Sequence, residues 1–342
     1  MKIDTGLGPD LHQAAERAVA AEAAGYDAVW TAETSRDPFF PLALAAPATE
    51  NLTLGTSIAV AFARNPMLLA NIGNDLQYLS KGRFVLGLGS QIKPHITKRF
   101  SMEWSKPAAR MREMILATRA IWAAWNEREK LNFRGEFYTH TLMTHFFDPG
   151  PNPYGTPDVY IAAVGPLMTK VAGETCDGLI AHSFTTAEYL RDVTVPTIAE
   201  GRAAGDHADQ PFTIMLPAFV VTGPDEETMA KVDRRVRGQI AFYGSTPAYR
   251  GVLEHHGWGD LQTQLNTLSK QGEWEAMADL IDDDMLNAFA VVAEPADVAA
   301  GLHGRYEGLA QRMSFNTMMD LGPEFWAPIV ADLRALDASA DQ

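Results

Sequence analysis

The sequence predicts an α/β protein built as a closed (β/α)8 TIM barrel, and three observations carry that expectation. Short β-branched or apolar segments alternate with longer helical ones along most of the chain, the order that favours a parallel sheet with helices packed outside it. Strands can be counted from near residues 3, 28, 52, 84, 159, 178, 212 and 313, and each but the seventh is followed directly by a helix. The rival, an open doubly wound sheet, needs fewer strands and commonly carries a nucleotide fingerprint at its first turn, which TGLGPD at 5–10 lacks.

A first strand at 3–6 leads to a helix over 11–24, where Ala14, Ala18 and Ala21 fall at helical spacing, and Gly25 ends it before the strand at 28–32. An Ala-rich helix at 41–49 precedes the β-branched run LTLGTSIAV at 52–60. Pro66 opens a helix to Leu79, and the turn KGR at 81–83 feeds FVLGLG, a buried strand ending on glycines. Over 107–125 the apolar residues Met111, Met114, Ile115, Ile121 and Trp122 form an i, i+3, i+4, i+7 stripe that demands a helix. The polar, aromatic stretch at about 127–157, closing on DPGPNPYGTPD, is an insertion after the fourth strand. Alternation resumes with VYIAA at 159–163, helices at 166–175 and 187–204 flanking the strand at 178–182, and FTIMLPAFVV at 212–221. A second insertion, at about 243–285, follows the seventh strand. A helix near 296–309, the strand RMSFNTM at 312–318 and a helix over 324–336 complete the series, so one domain with two insertions is expected.

The 342 residues suffice to bury a large core without disulfides, and 46% hydrophobic with 21% charged residues excludes global disorder and a membrane bundle. A net charge of −15 opposes phosphate backbones and anionic lipid, so nucleic-acid and membrane binding are not expected. The single Cys176 makes no internal disulfide and reads as a small apolar filler in a reducing compartment. Asp4, Asp10 and Glu16 interrupt the start where an export signal would be apolar, so the cytoplasm is the expected location. Metal chemistry has little support: there is no H-E-x-x-H, no Cys pair, and the neighbours His255 and His256 would splay apart. No G-x-S-x-G elbow occurs either.

A parallel barrel places its active site at the C-terminal mouth, so strand-end residues come first: Glu33 and Thr34, 57–59, 90–95, 164–166, 182–184 and Asn316. Glu33 is either a rim carboxylate raised towards proton transfer or a structural group holding a neighbouring loop. GLGS at 87–90 departs from a dinucleotide loop at Ile92, leaving a close backbone surface for a ring or phosphate, or tight strand packing. Gly165 and Pro166 open a helix whose first turn, around Leu167 and Met168, offers backbone N–H groups to a phosphate. Among the aromatics after strand ends, Phe39, Phe40, Phe62, Trp104 and Phe184 are candidates for a pocket wall.

Several of these segments occur together, in order, in one family. GYDAVWTAE at 25–33, LTLGTSIAVAFARNP at 52–66, LSKGRFVLGLGS at 79–90, VYIAAVGPLMTKVAGETCDGLIAH at 159–182 and FAVVAEPADVAAGL at 289–302 resemble the bacterial luciferase-like, flavin- or deazaflavin-dependent oxidoreductases, over most of the chain. The run from Thr56 to Pro66 and the second insertion are more similar to the branch using the 8-hydroxy-5-deazaflavin coenzyme F-420. The resemblance implies a luciferase-like TIM barrel and a non-proline cis peptide at Ser57-Ile58 that backs the deazaflavin ring. It also implies cofactor contacts from Thr34, Ser90 and Gln91, from Ala163, Val164 and Gly165 with the helix start at Pro166, Leu167 and Met168, and from His182. Hydride would pass between the ring's C5 and a small organic substrate.

The chain departs from the sugar-phosphate and alcohol-oxidising relatives, which place Asp-His where Glu33 and Thr34 stand; the sugar-phosphate enzymes also have Glu at the position of Ser90. Lys93, as an anion or enolate stabiliser, and His95, as a proton donor, are the candidate replacements beside Glu33, the other reading being a solvated loop. The expected function is thus an F-420-dependent oxidoreductase. The alternatives are an FMN-dependent monooxygenase supplied by a separate cofactor reductase, and a non-catalytic deazaflavin or lipid-like carrier. A homodimer through the helices at 41–49 and 66–79 is expected as well.

Overall fold

The computed structural model describes residues 1–205 and 208–340. Eight parallel strands close into a barrel: β1 (Lys2–Gly6), β2 (Ala28–Thr31), β3 (Thr53–Thr56), β4 (Phe84–Gly89), β5 (Asp158–Ala163), β6 (Gly178–Ala181), β7 (Thr213–Val221) and β8 (Arg312–Asn316). β7 completes the ring, because its first residues pair with β6 and its middle with β8, which in turn pairs with β1. All the strands expected from the alternation are present and start where the sequence placed them. Two further short strands join the sheet: Ala59–Val60 beside β4, and Ala290–Val292, which pairs with the upper end of β7 where the sequence pattern suggested only the approach to a helix.

Helices α1 (Ala14–Ala23), α2 (Phe39–Ala45), α3 (Pro66–Leu79), α4 (Pro107–Asn126), α5 (Pro166–Thr175) and α6 (Val195–Ala204) surround the first six strands. The start of α3 has a local cause. Asn65 accepts a hydrogen bond from the Leu68 N–H ahead of α3, and Pro66 occupies its first turn, where a missing N–H costs nothing. The stripe on α4 is buried as its spacing requires, and Trp122 donates its indole N–H to the Ala70 carbonyl of α3.

The seventh strand also has its helix, α7 (Glu226–Gly244), capped by Asp225. Its buried positions Val232, Val236 and Ile240 repeat every fourth residue in a strongly charged sequence, so the apolar stripe is narrow and the composition hides it. The second insertion therefore begins after α7. It folds as α8 (Arg250–His255), α9 (Gly259–Gln271), α10 (Trp274–Asp279) and α11 (Asp283–Phe289) around a core of its own with α7. Then α12 (Val298–Tyr306) and α13 (Pro323–Ala340) flank β8. The first insertion is a small hairpin tied to α4, where the Glu113 carboxylate accepts from the N–H groups of Glu136, Phe137 and Tyr138 at 2.9, 2.7 and 2.6 Å. Phe40, Leu44 and Leu68 lie exposed on α2 and α3. No described helix is long and apolar enough to cross a membrane.

Inside the barrel, Ala28, Trp30, Val85, Tyr160, Ile180 and Met215 form a plug below the mouth. A buried ion pair sits with them: Arg312 of β8 donates from Nε and Nη2 to the two Asp4 oxygens of β1, both at 2.8 Å, and Trp30 Nε1 donates to the same carboxylate at 2.9 Å. The bidentate fork and the indole together satisfy the carboxylate, which is what a charge removed from water requires. Gly55 makes room for the Trp30 ring, since a Cβ there would lie 2.2 Å from it. Replacing Arg312 by Met strands the Asp4 charge and is expected to cost about 3–5 kcal/mol in denaturant unfolding, with much of the loss recovered in the Asp4→Leu, Arg312→Met double variant.

Candidate functional site

The parallel order brings the C-terminal ends of all barrel strands to one rim, and a cavity of about 600 Å³ opens there. Ser57 and Ile58 after β3, Ser90, Gln91 and Lys93 after β4, Ala163, Val164, Gly165 and Met168 at the β5–α5 junction, and His182 after β6 line it. Trp104, Pro217, Ser183 and Tyr249 are also part of its wall. A smaller cavity of about 420 Å³ lies at the opposite end, among strand starts such as Lys2, Asp158 and Arg312, and contains none of the expected site residues.

The β3–β4 edge explains the glycines of FVLGLG. Thr56 donates its hydroxyl to the Gly87 carbonyl at 2.6 Å and accepts the Gly87 N–H at 2.9 Å, and a Cβ on Gly87 would sit 1.7 Å from the Thr56 carbonyl oxygen. The peptide between Ser57 and Ile58 is cis, as the resemblance implied. The chain then rejoins β4 through Ala59 and Val60, while Gly89 leaves space for the Ile58 side chain, 2.8 Å from where its Cβ would be. The glycines thus serve a close strand contact that presents Ile58 in the mouth. Beyond β4, Gln91 adopts a left-handed conformation with φ of 56° and turns the segment carrying Lys93 and Trp104 across the rim.

Glu33 and Thr34 do not line the cavity. Glu33 Oε2 accepts from the Val60 N–H at 2.7 Å and from Arg64 Nη1 at 2.6 Å, and the same guanidinium reaches Asp37 at 2.9 Å. The Glu33 N–H donates to the Ile58 carbonyl at 3.1 Å. This residue therefore brackets the segment that carries Ile58, and its carboxylate is committed to a charged partner rather than held for proton transfer. The Thr34 carbonyl accepts from Arg99 at 2.6 Å. His95 is exposed on the π turn His95–Arg99 and is likewise outside the lining, whereas Lys93 is within it.

At the start of α5, Gly165 is extended and Pro166 takes the first helical position. The first intrahelical bond runs from Thr169 N to Gly165 O, so the amides of Leu167 and Met168 precede the ladder and are available to an anion. Pro166 and Leu167 are exposed, and neither they nor their side chains enter the lining; Met168 does. A Cβ on Gly165 would meet open space.

His182 packs between Tyr243 and Tyr249, at ring-centroid distances of 4.4 and 4.8 Å. The Phe184 N–H donates to its Nδ1 at 3.0 Å, which leaves the ring hydrogen on Nε2. Burial pushes the imidazole down to about 4, so it stays neutral. Beside it, Ser183 Oγ accepts from Asn316 Nδ2 at 3.1 Å. Burial raises the Tyr249 phenol, with Tyr243 adding to the effect. Ser183 lay within a strand end that the sequence marks, but Tyr249 belongs to the second insertion, where no strand-end signal exists.

Two outcomes follow from these contacts. Glu33→Ala is expected to cost about 3 kcal/mol in denaturant unfolding because Arg64 and the Val60 N–H lose their acceptor, with Glu33→Gln intermediate. The folded chain takes a proton on His182 less readily than the unfolded one, so this group's contribution to stability is complete above pH 6.5 and is lost as pH falls towards about 4. Unfolding measured across that window should show a flatter pH dependence in His182→Gln.

Comparison with known proteins gives these features a context. Residues 2–312 match the family model described as luciferase-like monooxygenase. An uncharacterized protein of Mycobacterium tuberculosis is 54% identical over 313 residues, 92% of each chain. The 5,10-methylenetetrahydromethanopterin reductase of Archaeoglobus fulgidus is 27% identical over 287 residues, 81% of each. The coenzyme F-420-dependent tetrahydromethanopterin reductase of Methanopyrus kandleri shares the fold, with a TM-score of 0.76 at 20% identity over 98% of both chains. With a family match that runs from β1 into β8 and takes in every segment lining the mouth, the chain belongs to the luciferase-like monooxygenase family.

Proposed function

We propose that the protein is a coenzyme F-420-dependent oxidoreductase, moving hydride between the deazaflavin C5 and a small organic molecule. The observation that carries this reading is the cavity itself, which joins an apolar backstop at Ile58 to the open helix start at Gly165. A planar ring with an anionic tail needs both, and the relatives named F-420-dependent glucose-6-phosphate dehydrogenase add support.

The residues present fit such a group. Ile58 offers an apolar surface behind the ring, and the backbone at Ser90 and Gln91 borders its edge. Ala163, Val164 and Gly165 line the route to the first-turn amides of α5, whose dipole favours a phosphate. Lys93 is the only cationic side chain among the described lining residues and suits the anionic portion. When bound, the deazaflavin supplies a two-electron carrier at C5. The chain's own part is to orient it, with Glu33 and Arg64 holding the Ile58 segment, and to exclude bulk water with Trp104 and Tyr249.

The second reading, an FMN-dependent monooxygenase, has the matching family's description in its favour. Titration of the protein with F-420 and with FMN, followed by fluorescence, separates the two. Tight F-420 binding is expected, and a preference for FMN overturns the proposal; tight F-420 binding without hydride transfer to any substrate favours a carrier. Gly165→Asp is a sharper probe, because Asp is a good helix N-cap and adds negative charge at the tail site. Thermal stability should hold or rise while F-420 affinity falls about tenfold or more.

A further inference from the structure

Around the rim, the ends of β3, β4 and β5 supply the surfaces assigned above to the cofactor, which leaves the β6–β7 side for the substrate. That side has an unusual composition of hydrogen-bonding groups. No Asp or Glu is among the described residues lining the cavity, and Glu33, the nearest candidate in sequence, is committed to Arg64. The polar groups present are His182, Ser183 and Tyr249.

Each of them is set to give a hydrogen. His182 has its acceptor nitrogen occupied by the Phe184 N–H, so Nε2 carries the hydrogen, and that atom makes no hydrogen bond within the described chain. Ser183 has a lone pair taken by Asn316, which directs its own hydroxyl hydrogen elsewhere. Tyr249 has no side-chain hydrogen-bond partner among the described residues, and burial holds its phenol protonated. Two neutral donors adjacent in sequence, with a third whose ring packs against the first, form a place for an oxygen that gains negative charge. Among the described residues, no carboxylate and no unoccupied basic nitrogen stands on this side to take a proton from an alcohol, which disfavours alcohol oxidation. An enolate, far less basic than an alkoxide, is the oxyanion that such weak donors stabilise. Trp104, Met168 and Pro217 add apolar surface to the wall.

We propose that this mouth reduces an uncharged, largely apolar conjugated carbonyl compound, with its carbonyl oxygen held by His182 Nε2–H and Ser183 Oγ–H. This rests on the F-420 reading and reassigns His182 from the cofactor to the substrate. The β-carbon gains a C–H bond by accepting hydride from the reduced deazaflavin, which is oxidised by two electrons. The C=C pair shifts to make the enolate, and the α-carbon then takes a proton from the Tyr249 hydroxyl, which water restores.

The F-420 titration decides the underlying reading by itself. The present inference is tested in enzyme already filled with oxidised F-420, using 2-fluorophenol as a stable enolate mimic and its 19F resonance as the readout. Bound ring is expected to ionise about tenfold more readily than free ring, an advantage lost in His182→Phe and reduced in Ser183→Ala, the milder change should the first fail to fold. A ring that does not bind, or that ionises no more readily than in water, overturns the donor site. Reduced F-420 should then be consumed at least about tenfold faster with 2-cyclohexenone than with cyclohexanone. Equal rates, no consumption, or oxidation of cyclohexanol by the oxidised cofactor overturns the substrate class.

Discussion

Closure of the parallel ring is the constraint on which the rest of this molecule depends. β7 is long enough to pair with β6 at its start and β8 in its middle, so the ring of eight strands has no open edge and all eight end on the same rim. Residues as distant in sequence as Ile58, Gly165 and His182 become neighbours for that reason alone. The interior is then a packing problem. Arg312 and Asp4 meet across the seam where the last strand joins the first, and Trp30 fills the space beside Gly55, so side chains plug the interior between the mouth and the smaller cavity at the opposite end.

The rim is organised by two small devices in which one residue serves several partners. Thr56 and Gly87 lock the β3–β4 edge through a reciprocal pair of hydrogen bonds, and Glu33 spans the next step with its backbone on Ile58 and its carboxylate on Val60 and Arg64. Together they hold an apolar side chain in the mouth without any contribution from the insertions. The second insertion acts from the other side. It has its own core against α7 and delivers Tyr249 to the wall, where it meets His182. The ends of β3, β4 and β5 build one side of the cavity, and the inserted subdomain contributes to the other.

Neutrality of the β6–β7 side has a common physical origin. His182 lies among aromatic rings with its acceptor nitrogen already used, and burial opposes charge on it and on Tyr249 alike. None of the described acidic residues behind the chain's net charge of −15 lies in the lining of the mouth. A strongly acidic protein therefore presents a mouth without a carboxylate among its described lining residues.

Alternation of β-branched runs with apolar stripes was enough to determine the eight strands, most of the helices and the end of the barrel that carries the site, because these follow from periodicity and from parallel pairing. It also marked Ser57, Ile58, Ser90, Val164, Gly165 and His182, which end strands. The pattern missed α7, whose narrow stripe is diluted by charge, and it left Glu33 open between two roles. Only the tertiary structure decided that Glu33 belongs to Arg64, that His95 and Thr34 stand outside the cavity while Lys93 stands within it, and that Tyr249 arrives from an insertion. Those outcomes depend on which side chains meet across loops of unrelated sequence, and no periodicity encodes the partner of a hydrogen bond.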